Sequence, residues 1–236
     1  MKRIVFCLGL YFFSFLQPGT AQVNISMGDY AGFLRDQNLR EQTYSSREEK
    51  NYLGTPYLQD TFQKGDILMR NNVKYTGIPL RYNIYLDELE FKGKNEEIWA
   101  LSNPEMVELI EIGPDRLSYR PYTYGKRIQQ GFFLVLEEGK MDLLRRPKKF
   151  MQKPQQPGAY KDPQPAKFID RPDEYYLQDF NQAAKLVAGK KELLSLFPDR
   201  QKEMAAFIKK NKVKTSKPEK LVELVRYYNL GAQENK

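Results

Sequence analysis

The chain has 236 residues, 41% hydrophobic and 29% charged, with 38 Lys+Arg against 30 Asp+Glu, one Cys and no His. That length suits one ordinary domain, or a domain with a small annex, and the mix of apolar and charged residues predicts a folded body with polar flanks. The missing imidazole excludes a Ser-His-Asp triad, an H-E-x-x-H zinc site and a His–Cys zinc finger.

Residues 1–21 read as a signal peptide. Lys2 and Arg3 precede an uncharged run from Ile4 to Leu16, and Gln17-Pro18-Gly19-Thr20-Ala21 follows. The apolar run is about 13 residues long, short of the roughly 20 that a bilayer-spanning helix needs. The small residues Gly19 and Ala21 fit cleavage after Ala21, leaving Gln22 first. Cys7 lies inside the run rather than at the cut, which argues against a lipid anchor. A chain so processed has no thiol for a disulfide, a nucleophile or a metal. No cofactor is expected, and no later stretch predicts a transmembrane segment. Asn24-Ile25-Ser26 fits a glycosylation sequon, which matters only in a eukaryotic secretory route.

Cleavage leaves 36 basic and 30 acidic residues, net +6. Residues 22–139 hold 14 basic and 18 acidic, net −4, whereas residues 140–236 hold 22 basic and 12 acidic, net +10. Basic lobes bind nucleic acid, anionic lipid or acidic glycan, or are simply solvated; export makes nucleic acid the least expected partner.

Residues 22–57 form a polar, partly disordered lead-in, in which Tyr30, Phe33 and Leu34 have the spacing of a short helix. Residues 58–150 turn to β pattern. Gly65 to Met69, Val73 to Thr76 and Leu80 to Tyr85 alternate around an Arg70-Asn71-Asn72 turn, with Gly77-Ile78-Pro79 marking a bulge or edge. Leu89 to Phe91, Ile98 to Leu101 and Met106 to Ile112 follow, the last with Val107, Leu109 and Glu111 on one side. Asp115 to Tyr124 carries Leu117, Tyr119 and Tyr122 before Pro121 and Gly125 break its regularity. Gly131 to Leu136 is the most apolar strand and turns at Glu137-Glu138-Gly139-Lys140 into Met141 to Leu144. About eight short strands at this spacing suggest a small antiparallel barrel or sandwich.

Residues 151–172 read as a Pro-rich linker. Six prolines between residues 147 and 172 predict a segment that is neither helix nor central strand and crosses a surface extended. Residues 173–236 hold one more strand and C-terminal helices. Lys190 to Phe197 is helical. Asp199 is placed to cap a helix from Arg200 to Lys210 that turns Met204, Phe207 and Ile208 to one side. Ser216-Lys217-Pro218-Glu219 has the form of a capping box, Leu221, Val222, Leu224, Val225 and Tyr228 form the next apolar face, and Gly231 reads as its stop.

Without His or Cys, chemistry falls to carboxylates, Lys, Tyr, Ser or Thr. Asp87, Glu88 and Glu90 are the densest acids of the β region, a pattern that suits glycoside hydrolysis or Ca²⁺ binding but also a wet strand face. No Ca²⁺ loop or phosphate-cradling Gly motif accompanies them, and Ser195 after Lys191 is an unremarkable helix pair. The best ligand-facing candidate is a Tyr/Arg patch of Arg116, Tyr119, Arg120, Tyr122, Tyr124, Lys126 and Arg127, although Tyr is also a good residue for a half-buried strand. A second basic cluster comprises Lys209, Lys210, Lys212, Lys214, Lys217 and Lys220, which an anionic envelope surface suits.

The runs GTPYLQDTFQKGDIL (Gly54–Leu68), IPLRYNIYLDELEF (Ile78–Phe91), GFFLVLEEGKMDLL (Gly131–Leu144), PAKFIDRPDEYYL (Pro165–Leu177) and VRYYN (Val225–Asn229) resemble an uncharacterised family of exported proteins from Bacteroidota-type bacteria. The resemblance implies a Gram-negative envelope or secreted setting and supplies no residue roles. The expectation is an exported α+β protein of the periplasm or outer membrane, or secreted, with a small antiparallel β body, a Pro-rich crossing segment and C-terminal helices. Its expected role is non-catalytic binding or scaffolding of an envelope protein, glycan or anionic surface. The alternatives are a carboxylate-dependent hydrolase of envelope polymers and a carrier of an apolar ligand in a half-open barrel.

Overall fold

A computed structural model describes residues 26–36, 52–154, 164–180 and 182–233. Residues 1–21, expected to be a signal peptide and including Cys7, and Asn24 lie outside them. Short alternating segments separated by turn residues pair with their neighbours, because two-residue turns return the chain antiparallel at minimal loop cost. The strands are β1 (Ser26–Gly28), β2 (Tyr52–Leu53), β3 (Gln63–Met69), β4 (Val73–Asn83), β5 (Glu88–Lys92), β6 (Ile98–Ala100), β7 (Val107–Ile112), β8 (Asp115–Tyr124), β9 (Arg127–Glu137), β10 (Met141–Gln152), β11 (Ala166–Asp179) and β12 (Lys185–Leu186). The helices are α1 (Tyr30–Asp36), α2 (Lys190–Ser195), α3 (Gln201–Lys210) and α4 (Pro218–Gln233).

All strands join one sheet, in the order β12-β11-β10-β9-β8-β7-β3-β4-β5-β6, with β1 parallel on β4 and β2 parallel on β11. The β-rich body with C-terminal helices agrees with the expected α+β class. The sheet is mixed and has more strands than the eight expected, and no pairing joins its ends, β6 and β12, among the described residues. Ahead of β12, however, Ala184 bridges Tyr122: Thr123 N–H donates to the Ala184 carbonyl (2.9 Å) and Ala184 N–H to that of Pro121 (2.8 Å). The β8–β12 part therefore curls until its edge meets β8.

Three apolar clusters follow from this curvature. β3, β4, β5, β7, β8 and β9 enclose Ile67, Ile78, Leu80, Phe91, Ile110, Leu117 and Leu134 with α1. Phe133, Val135, Leu144, Tyr122, Tyr176 and Ala184 fill the concave side of the curl. Met141, Leu143 and Leu177 receive the helices through Phe197, Met204, Leu221, Leu224 and Tyr228. From Gly131 to Val135, β9 is buried on both faces, which explains why Phe132–Leu136 is a continuous apolar run.

Several expectations change. Within the lead-in, α1 is part of the core: Phe33 is fully buried, edge-on to Tyr75 and Phe91. Within the supposed linker, β10 continues to Gln152 and β11 begins at Ala166, with Pro172 inside it. The strand tolerates the proline because Pro147 lies opposite both Pro172 and Asp173 at a bulge, where the register jumps from Arg146–Glu174 to Lys148–Arg171 and the ladder is already interrupted. Residues 155–163 lie outside the described residues. Gly77 makes the expected bulge, with φ 68 opposite the register shift between Gly65 and Ile67. A further bulge at Glu108 overturns the expected face of β7: Val107, Ile110 and Ile112 are buried, not Leu109 and Glu111.

Two helix-terminus expectations also fail. Asp199 does not cap α3; its carboxylate accepts from Lys140 and Tyr228 instead. The first carbonyl of α4 is that of Lys217, so Ser216 sits one position too early for a capping box, while Pro218 takes the first helical position as expected. Helix α4 runs through Gly231 to Gln233; that glycine makes room for Arg200, whose Nη1 donates to the Tyr228 carbonyl.

Candidate functional site

Alternation along β8 divides the Tyr/Arg patch. Tyr122 is buried in the concave cluster, its ring edge-on to Phe133 and Tyr176, while Tyr119 packs on Phe132 at the other face. Arg116 pairs with Glu138 (2.7 Å), and Arg120 lies 4.0 Å from Asp142. Tyr124, Lys126 and Arg127 are exposed together at the β8–β9 hairpin tip. The structure thus brings together the last three and disperses the other four.

Tyr122 leads instead to a polar cluster with residues that the sequence patch did not contain. The β9–β10 ladder ends at Leu134–Arg145, so the Phe132 amide has no strand partner on that side. Asp87, on the β4–β5 turn, fills the gap: its Oδ1 accepts from Phe132 N–H (3.2 Å) and from the Tyr82 hydroxyl (2.8 Å). Its Oδ2 accepts from Arg146 Nη2 (2.8 Å), and Arg146 Nη1 donates to the Tyr122 hydroxyl (2.5 Å), which donates onward to Gln129 Oε1 (2.8 Å). The guanidinium also lies over the Tyr122 ring, 4.5 Å from its centroid. Asp87 holds a left-handed backbone, φ 57, which points its carboxylate inward. Gly131 is required beside it: a Cβ there would lie 2.6 Å from Asp87 Oδ2.

Electrostatics hold the Asp87–Arg146 salt bridge beside two phenols, Tyr82 and Tyr119, that are pushed away from ionisation. Burial first, then the Asp87 charge and its hydrogen bond, hold the Tyr82 hydroxyl well above its ordinary range. Burial, followed by Asp87, likewise raises Tyr119. For Arg146 burial favours the neutral form, but the charges of Asp87 and the phenols outweigh it and strengthen the cation.

Glu90, another of the three acids singled out from the sequence, is locked separately. Glu90 is buried, accepting from Arg81 Nη2 (2.7 Å) and Asn83 Nδ2 (3.0 Å), and Arg81 is itself held over the Tyr57 ring. Asp87 and Glu90 each have their own arginine, so neither is a free base or nucleophile. Among the described residues no three carboxylates gather closely enough to hold a metal ion, and no helix is long and apolar enough to cross a membrane.

No protein-family model, curated protein or solved structure matches this chain. What remains are surfaces. An open groove of about 460 Å³ runs between β11 and the α3–α4 connection, lined by Asp173, Glu174, Tyr175, Leu186, Thr215 and Ser216; burial raises its Asp173 carboxyl, with Arg145 opposing. A second, of about 500 Å³, is lined by Lys64, Asp66, Glu111, Gly113 and Arg116. Both are open clefts on the surface, the first with a mixed apolar and polar lining and the second mostly polar. The remaining feature is the lysine cluster of α3 and α4, where Lys209, Lys210, Lys212, Lys214 and Lys217 are all exposed.

Proposed function

We propose that this chain is an exported, non-catalytic protein of a Gram-negative cell envelope that binds or scaffolds another component. The observation that carries the non-catalytic part is the locking of Asp87 by Arg146 and of Glu90 by Arg81, which engages two of the three carboxylates that would have motivated a hydrolase. The curl of β8–β12 around Phe133, Leu144 and Tyr176 supports a barrel-like reading of that half, but its interior is filled by those side chains, so it lends no support to an apolar-ligand carrier. Export rests on residues 1–21.

The test is to express the full chain in a Gram-negative host beside a variant whose apolar run is broken by Leu10→Arg. Recovery of the parent in the envelope fraction beginning at Gln22, with the variant retained in the cytosol, is the expected outcome. A parent chain that stays cytosolic with its first residues intact overturns the proposal, as does defined turnover by the purified protein that vanishes in Glu90→Gln.

A further inference from the structure

Helices α3 and α4 form an antiparallel hairpin: Glu203 accepts from the Tyr227 hydroxyl (2.6 Å), Phe207 stacks on Tyr227 (4.5 Å), and Arg200 reaches the Tyr228 carbonyl. The hairpin is anchored on one side by Met204, Ile208, Leu221, Leu224 and Val225, with Val213 of the connection tucked against the same core. Its tip contains no acid from Met204 to Pro218, yet carries Lys209, Lys210, Lys212, Lys214 and Lys217. Among the described residues none of these five makes an ion pair. Several basic side chains elsewhere are balanced locally, as in Lys148–Glu174, Lys149–Asp170 and Arg226–Glu137. Five like charges packed into nine residues repel one another, although Lys209 and Lys210 complement the C-terminal end of the α3 dipole.

We infer that this tip docks the protein electrostatically onto a membrane surface bearing anionic phospholipid headgroups. The inference rests on the binding role proposed above but not on export, since it concerns the folded lobe alone. Three observations select a lipid surface among anionic partners. Every basic residue of the tip is a lysine; a point charge on a flexible stem suits a fluid array of phosphates, whereas fixed bidentate recognition favours arginine. The five lysines sit on an exposed tip rather than along a channel that would track a polymer chain. The stacking platform that single-stranded nucleic acid needs is also missing, because between Lys209 and Lys217 the sequence holds no aromatic residue.

Each lysine near such a surface changes partitioning about fivefold, so five removed together change it by two orders of magnitude or more. The experiment compares sedimentation of the full chain with vesicles of phosphatidylcholine alone and with vesicles containing phosphatidylglycerol, at low and at roughly 0.5 M salt. Parent and variants share residues 4–16, so any apolar, salt-insensitive binding by that segment cancels. The proposal expects tight, salt-labile binding to the anionic vesicles. It also expects at least a hundredfold loss when Lys209, Lys210, Lys212, Lys214 and Lys217 are all changed to Gln, and little loss for the control Lys185→Gln/Lys190→Gln/Lys191→Gln on the same lobe. Circular dichroism and an unchanged unfolding midpoint show that the variant is folded. Binding indifferent to phosphatidylglycerol overturns the inference, as does an equal loss in the control, or tighter binding to an anionic polysaccharide or single-stranded DNA than to the vesicles. Vesicle binding in a chain that is not exported would sink the proposed setting while leaving the docking tip intact.

Discussion

Replacing Asp87 tests the cluster that joins the β4–β5 turn to β9 and β10. Side chains of Asp87 and Arg146 are 23% and 14% exposed, so the pair is mostly but not wholly buried. Removing one partner of a fully buried pair costs about 3–5 kcal/mol, and the residual exposure lowers that to about 2–3 kcal/mol here. Asp87→Ala also strips the acceptor from Phe132 N–H and the Tyr82 hydroxyl, adding about 1 kcal/mol. Placing Ala at φ 57 adds about 1 kcal/mol more. The expected total is about 4 kcal/mol, a large part of a typical domain's stability. Asp87→Gly avoids the backbone term and is expected to lose about 3 kcal/mol. Asp87→Asn keeps an acceptor and tolerates the left-handed backbone, so about 1–2 kcal/mol is expected from the lost charge alone. Urea unfolding of the three variants, followed by far-ultraviolet circular dichroism, gives the order Asn, Gly, Ala. A double-mutant cycle with Arg146→Met isolates the pair. A coupling below about 0.5 kcal/mol, or Asp87→Ala no worse than Asp87→Asn, would refute the reasoning.

Gly131→Ala pushes a methyl against Asp87 and Arg146 and is expected to cost about 1–3 kcal/mol alone; urea titration in the Asp87→Ala background should show the cost mostly gone, because the obstructing carboxylate is absent. Asn229 clasps the strand after the β9–β10 turn, accepting from Met141 N–H (2.9 Å) and donating to its carbonyl (3.0 Å). Asn229→Leu is therefore expected to lose about 2–3 kcal/mol, with faster hydrogen exchange at the Met141 amide as the local readout. Acid should loosen the helical lobe. Hydrogen bonds from Arg200 and then Tyr227 hold Glu203 down at about 2, and Asp199 is lowered because its bonds from Lys140 and Tyr228 outweigh burial. A carboxyl depressed in the folded state stabilises fully above its unfolded value, near 4, and loses that contribution as pH falls towards the folded one. Exchange protection in α3 and α4 should thus decline between about pH 4 and pH 2, and Glu203→Gln with Asp199→Asn should remove most of that dependence.

Local patterns in the sequence were enough to place most strands, the β3–β4 and β9–β10 turns, the Gly77 bulge and the apolar faces of α3 and α4, because alternation, turn chemistry and helical spacing act over a few neighbouring residues. The two-sided burial of β9 was visible as an unbroken apolar run. Prolines misled where their effect depended on a partner: Pro147 and Pro172 are compatible with pairing only because they meet at one bulge, which neither segment reveals alone. The offset in β7 has the same origin, a bulge at Glu108 set by the register against β3.

The candidate sites divide along the same line. The lysine tip is contiguous in sequence, so composition alone exposed it, and the structure added that among the described residues these lysines make no ion pairs, in a hairpin with its apolar side already occupied. Asp87 and Arg146 lie 59 residues apart, and their pairing arises where the β9–β10 ladder stops and a buried amide needs an acceptor. The sequence by itself determined the inventory of chemical groups, with neither imidazole nor, after the proposed cleavage, thiol. Only the tertiary structure decided which charges meet, because ion pairing between distant segments depends on sheet register and curvature that no local window contains.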